Sequence, residues 1–295
     1  VEQDIEEDQQ RDDLTEIWAQ QSTPYALDEG GWLVGGLQDL QGRFNLNALG
    51  EGVAAPEEGQ PAGNERERSR FTPAQQQFIR LLQALGEQAM GQQEAIQVTE
   101  SIRDWIDRDG EVSPNGAEDD YYYGRTPAHR AANMSMSSTS ELRAVANVTP
   151  EVYCALLPLV TVWPQSAEPM NIHTAPPVLL RTINADGDLS PLSEADGSAL
   201  AEQQQEPGFQ DLGEFLEHPA LEGKELGGIG ALLGETSSYF LLSAQVEVAD
   251  RTSHLYSVLQ RSQGQITAIV RHRGSVEPLC AKQVKPTEEE VDGTS

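Results

Sequence analysis

Apolar positions recur along this chain with three different rhythms. Before about Tyr25, Leu14, Ile17 and Trp18 fall at i, i+3 and i+4, the spacing of one helical face. Trp32-Leu33-Val34 and Leu37 to Leu46 then read as short extended segments, with Gly35-Gly36 and Gln41-Gly42 as turns. From 50 to 70 the pattern gives way to Gly, Pro, Glu and Ala, the composition of a linker. Helical spacing returns after Thr72-Pro73, with Pro at the first helical position and Phe78, Ile79, Leu81, Leu82 and Leu85 as a broad apolar face. A second helix over about 93–106 carries Val98, Ile102, Trp105 and Ile106. A loop follows over 107–137. Beyond it, Ser138-x-x-Glu141 is a capping box, and Thr149-Pro150, Thr174-Ala175-Pro176 and Ser190-Pro191 each open a short helix, with another at Asp211 to Leu216.

After about 235 the period becomes two. Phe240, Leu242, Ala244, Val246 and Val248 alternate with Leu241, Ser243, Gln245 and Glu247. Asp250-Arg251 leads into a strand bearing His254, Tyr256 and Val258 on one face and Leu255 and Leu259 on the other. A turn at Ser262 to Gln265 leads to a third strand over Ile266 to His272, completing an antiparallel meander. A meander with one apolar face needs a cover, and the N-terminal helix is the nearest candidate. The expected fold class is therefore α+β. Residues 1–70 and 236–295 form the core, and 71–235 form a helical domain inserted between strands. The tail after Lys285 is polar.

Charge narrows the function classes. Lys and Arg number 19 against 48 Asp and Glu, a net charge of −29 over 295 residues. Such a field repels nucleic acid and anionic membranes and favours cations. Cys154 and Cys280 are too few for a disulfide scaffold or zinc ribbon. They form one disulfide in an oxidising compartment or stay as two buried thiols. No run of apolar residues is long enough to span a membrane. The chain opens at Val1-Glu2-Gln3, which suggests a processed or truncated form.

Several motifs, in this order, resemble one family. Asp39 to Leu49 (DLQGRFNLNAL) looks like its strand motif before the insertion. Asp104-Trp105-Ile106-Asp107-x-Asp109 and Gly116-Ala117-Glu118-Asp119-x-x-Tyr122 look like its acidic loop. Asn133, Ser140-Glu141-Leu142 and Asn171-Ile172-His173-Thr174-Ala175-Pro176 continue the match, with His173 where Asn is commoner. The family is the minor pseudopilin K of type II secretion. The resemblance implies a pilin-like N-terminal helix on the meander, a helical insert that binds calcium, and a place at the tip of the periplasmic pseudopilus. It further implies I- and J-type minor pseudopilins as partners and an inner-membrane anchor in the full-length protein. Leu14, Ile17 and Trp18 then become the partner-binding face.

The acidic loop is the one constellation that suggests site chemistry. Asp107, Asp109, Glu111, Glu118, Asp119 and Asp120 crowd into 107–120 against Arg108 alone. Ca2+ takes several oxygen ligands at about 2.3–2.6 Å, which such loops supply. The EF-hand template fails, because Gly110 directly follows Asp109. A solvated acidic loop is the alternative. Asn184-x-Asp186-x-Asp188 starts like an EF-hand but has Leu189 and Ala195 where Gly and Glu are required, so a turn explains it better. Asn171 to Ala175 resembles a helix-hairpin-helix element, read as structural capping in so negative a chain. Gly228-x-Gly230-x-x-x-Gly234 precedes a strand, where a dinucleotide fingerprint must follow one. The expectation is a structural assembly protein without catalytic turnover. An extracellular calcium-dependent hydrolase or carbohydrate-binding module, with paired carboxylates as acid and base, is the alternative.

Overall fold

The computed structural model describes residues 11–20, 23–28, 30–50, 70–274 and 280. The acidic run before Arg11, most of the 50–70 linker and the tail after Lys285 lie outside these residues.

The spacing of Leu14, Ile17 and Trp18 produces one turn here, not a long helix. Ile17–Ala19 is a 3-10 turn, and Glu16 and Gln20 on either side have extended backbone. One turn satisfies that spacing as well as a helix does. Leu14 and Ile17 are exposed, while Trp18 is buried edge-on against Phe240, with ring centroids 5.2 Å apart.

Strand β1 (Tyr25–Ala26) pairs with β2 (Trp32–Asp39). Gly35 and Gly36 form no turn. They lie inside β2, opposite Ala244 and Ser243, because a neighbouring strand holds them extended. A turn leads to β3 (Phe44–Asn45), which meets β4 (Val160–Thr161) in parallel. Helix α1 (Pro73–Gln83) starts on Thr72, whose hydroxyl accepts from Gln75 N while the Gln75 side chain accepts from Thr72 N. Helix α2 (Gln92–Ile106) packs beside it. Short helices α3 (Asp119–Tyr123) and α4 (Pro150–Leu156) follow, then β5 (Met170–Asn171) and α5 (Pro177–Leu180). Helix α6 (Glu194–Gln205) is capped by Ser193, three residues beyond the expected Ser190-Pro191 start. Ser190 N instead donates to Asp188 Oδ1 in a turn. Helices α7 (Leu212–Leu216) and α8 (Gly227–Gly230) lead to β6 (Leu233–Gly234), parallel to β5.

The meander is β7 (Tyr239–Val248), β8 (Arg251–Ser262) and β9 (Gln265–Arg273). With β1 and β2 it forms a five-stranded antiparallel sheet in the order β1-β2-β7-β8-β9. Thus β2 and β7 are neighbours, and the helical block leaves and returns between two paired strands. The register places Leu37, Phe240, Leu242, Val246, Leu255 and Leu259 on one face, most of them half-buried.

The main hydrophobic core belongs to the helical block. It runs from Phe44 to Leu233 and includes Phe78, Leu81, Ile102, Trp105, Tyr122, Leu179, Phe209 and Phe215. Sheet and block are joined by a buried polar junction. Asp39 Oδ2 accepts from Ser237 Oγ at 2.6 Å and Thr174 Oγ1 at 2.5 Å. Asn171 Nδ2 donates to Asp12 O and Ser237 Oγ, both at 2.9 Å. Asp12, almost fully buried, is ion-paired with Arg261 of β8. The Asn171 to Thr174 motif therefore bridges sheet and block. Asn171 Oδ1 accepts from His173 N at 2.9 Å, and α5 beyond it has no side-chain cap, against the expected capping role. Cys154 of α4 and Cys280 form a disulfide, with Cα atoms 5.5 Å apart.

Candidate functional site

The acidic loop hangs from the end of α2. Asp104 and Asp107 are three apart and share the last turn's face. Asp104 is fully buried and accepts from Ser113 N at 3.0 Å and Ser113 Oγ at 2.5 Å. One turn earlier, Glu100 Oε2 accepts from the backbone and side-chain amides of Asn115, both at 2.8 Å. The chain then passes so close to α2 that a Cβ on Gly116 would sit 2.0 Å from Asp104 Oδ2. These contacts turn the loop back and deliver Glu118 to the helix end, where it caps α3.

Within the acidic loop, Glu118 and Asp107 each keep a carboxylate oxygen unsatisfied, as Asp12 does in the junction. Glu118 Oε1 and Asp107 Oδ1 are buried without a hydrogen-bond partner. Burial raises Glu118 to a pKa of about 7, helped by the charges of Asp104, Asp107 and Asp119. Burial likewise raises Asp107 to about 6, with Asp109 and Asp104 adding to it and Arg103 opposing. Asn133 Oδ1 is a further buried oxygen without a partner, and Asn133 Nδ2 donates to Asp109 O at 3.3 Å. Asp119 is partly engaged, accepting from Ala131 N at 3.0 Å with Arg130 at 3.9 Å. Asp109 is exposed and caps Glu111 N, and Glu111 and Asp120 stand in solvent. Among the described residues, no three Asp, Glu, His or Cys side chains gather into a group able to hold a metal ion. The loop brings together two buried carboxylate oxygens without a partner, those of Asp107 and Glu118, and not a complete ligand set. Asp104 and Asn133 are the neighbours that the charge count over 107–120 omits, and the helical spacing of Asp104 and Asp107 was the signal for the first.

The tyrosine run explains how the loop is anchored. Tyr122 is fully buried, edge-on to Trp105 at 5.2 Å, and its hydroxyl accepts from Ala146 N at 3.2 Å. Tyr121 and Tyr123 remain exposed under Arg125 and Arg130. The second acidic turn is of another kind. Arg80 of α1 is buried and donates to the carbonyls of Thr182 at 2.9 Å, Ala185 at 2.7 Å and Asp188 at 2.7 Å. Asp186 caps Gly228 N and Ile229 N at 2.6 and 3.0 Å. A guanidinium thus serves the oxygens of the Asn184 to Asp188 turn.

Comparison with known proteins adds the context. The profile of a family described as "Type II secretion system (T2SS), protein K" matches residues 42–165, which include β3, α1, α2 and the acidic loop. The Type II secretion system protein K of Pseudomonas aeruginosa is 34% identical over 268 residues, covering 89% of this chain and 71% of that protein. The Aeromonas hydrophila protein of the same name is 31% identical over 274 residues, covering 91% and 78%. A chain in the crystal structure of the GspK-GspI-GspJ complex from enterotoxigenic Escherichia coli superposes with a TM-score of 0.74 at 26% identity, covering 93% of this chain and 90% of that one. With most of its length aligned to these relatives, and the acidic loop inside the matched region, the chain belongs to the type II secretion system protein K family.

Proposed function

We propose that this chain is a minor pseudopilin that caps the tip of the type II secretion pseudopilus and initiates its assembly. The partners are I- and J-type minor pseudopilins in a heteromeric complex, acting in protein export across the outer membrane. The observation that carries the reading is the likeness, over nearly the whole chain, to a chain in the GspK-GspI-GspJ complex. The relatives' names describe a component of a secretion machine, and the chain is read as having no catalytic turnover. Its working place is the periplasm, with the full-length protein anchored in the inner membrane. No helix among the described residues is long and apolar enough to cross one.

In this reading the fold is pilin-like, and the sheet face of Leu37, Leu242, Val246 and Leu255 receives the N-terminal helix of the full-length protein. Residues 71–235 form the inserted head. Subunits in a helical filament stack on repeating faces, and a head of this size between β2 and β7 obstructs the next subunit. The subunit therefore fits only at the end. Ca2+ stabilises the head by binding Asp107 and Glu118 and drawing Asp109 and Asp119 in to complete the set, with Glu111 and Asp120 at its margin. What supports this is the pair of buried, unpaired carboxylate oxygens. Leu14 and Ile17, exposed beside the anchored Trp18, offer partner contacts. Gold labelling of this subunit on isolated pseudopili tests the placement. Label confined to filament ends supports it, and label repeating along the shaft overturns it.

A further inference from the structure

The charge of this chain is polarised. Residues 251–274, which form β8, β9 and their turn, contain Arg251, Arg261, Arg271 and Arg273 and no Asp or Glu. With histidines neutral the hairpin carries +4, so the rest carries −33, which is −29 less +4. Arg261 is committed to the junction, donating to Asp12 and to Ser237 O. Arg271 and Arg273 are exposed and make no ion pair among the described residues. They sit two apart on β9 and share a face, opposite Ser257 and Leu255 of β8. Among the described residues, strand β9 ends the sheet order and pairs with β8 alone. A register shift beside Val258 leaves Ile269 unpaired across the ladder, and Ile269 and Val270 are exposed next to the arginines.

We propose that the Ile269 to Arg273 end of β9 docks an acidic segment of a partner minor pseudopilin. The segment runs along the free edge and sets carboxylates against Arg271 and Arg273. This rests on the tip-complex reading above. Guanidinium groups pair carboxylates in a bidentate fork, and an open strand edge supplies main-chain hydrogen bonds. A second copy of this chain would oppose arginine to arginine, a charge arrangement that keeps edges apart. A phosphate-bearing membrane would have to approach a body of strongly negative charge. A single strand is narrow enough to meet the local field, within a Debye length of about 8 Å.

The test measures binding of the soluble I- and J-type pseudopilins to the wild type, to Arg271→Glu/Arg273→Glu and to Arg143→Glu, an exposed reversal on the helical block. Each is measured at low and high salt, after thermal melts establish that all three fold alike. The expected result is about tenfold weaker binding for the double variant at low salt, shrinking at high salt, with Arg143→Glu near wild type. A poly-glutamate peptide competes with the wild-type complex and poly-lysine does not. Equal binding by the double variant overturns the inference while leaving the tip complex intact. If the wild type binds neither pseudopilin, the tip-complex reading fails. The docking surface then stands or falls on whether poly-glutamate binds the wild type and not the double variant.

Discussion

At Gly116 a single methyl group decides whether the acidic loop closes. Its Cβ would meet Asp104, which is fully buried and held from two sides by Ser113. Gly116→Ala should cost about 1–3 kcal/mol, as overpacking does, and protease should cut near Tyr121 to Arg125 faster. An unchanged melting temperature would mean that the loop has another way to turn. Glu118 gives a pH test. Its folded pKa of about 7 lies above that of an unfolded glutamate, so the folded state holds the proton more tightly. Without a cation, stability is then fully present below the unfolded pKa and is lost as pH rises through about 7. Melts in chelator should fall from pH 5 to pH 8, and Glu118→Gln should flatten that fall. Added calcium should raise the wild-type melt at pH 8, by about 2.7 kcal/mol of stability at a hundredfold excess over Kd. Asp107→Ala should abolish that rise, while Asp186→Ala, whose carboxylate caps Gly228 and Ile229, should keep it. No calcium effect at any pH would leave the loop a solvated one.

Among the elements, the helix starts were the most legible part of the sequence. Thr72, Ser138, Thr149 and Asp211 each accept from a backbone amide a few residues ahead, so the signal and the structure lie in one short stretch. The period-two run over Phe240 to Val248 was equally plain, because alternation and pairing coincide. What escaped depended on distant partners. Gly35-Gly36 is extended because β7 lies beside it, and Ser190-Pro191 is a turn because Asp188 takes its amide. Nothing near Arg80 in the sequence points to carbonyls about a hundred residues on. Arg80→Met should take the guanidinium from the carbonyls of Thr182 and Asp188, while Ala185 O keeps Asp188 N, and cost about 1–3 kcal/mol, read by chemical denaturation. A loss below about 1 kcal/mol would mean that water replaces the guanidinium. The sequence left the cysteines open between a bridge and free thiols. The structure joins α4 to the C-terminal segment across 126 residues. Thiol counting under denaturing, non-reducing conditions should find none free. Reduction should destabilise by up to about 5 kcal/mol in the chain-entropy account.

For the whole molecule, the decisive feature is a division of labour. A five-stranded sheet carries a half-buried apolar face, and a helical block with its own core leaves from between two paired strands. The buried junction of Asp12, Asp39, Asn171, Thr174, Ser237 and Arg261 fixes one to the other, so the head follows the body as a unit. The Asp39 to Leu49 and Asn171 to Pro176 stretches stood out in the sequence because this junction and its neighbours are built from them. The N-terminal stretch was less legible, because i, i+3, i+4 spacing over five residues does not distinguish one turn from a helix. The most direct test of the central claim is the mass of the assembly formed when this chain is mixed with soluble I- and J-type minor pseudopilins of the same system. Light scattering on the eluting peak should give one heteromeric complex containing all three, and adding the major pseudopilin should not displace it. Three separate monomers, or a complex with the major pseudopilin alone, would contradict the account.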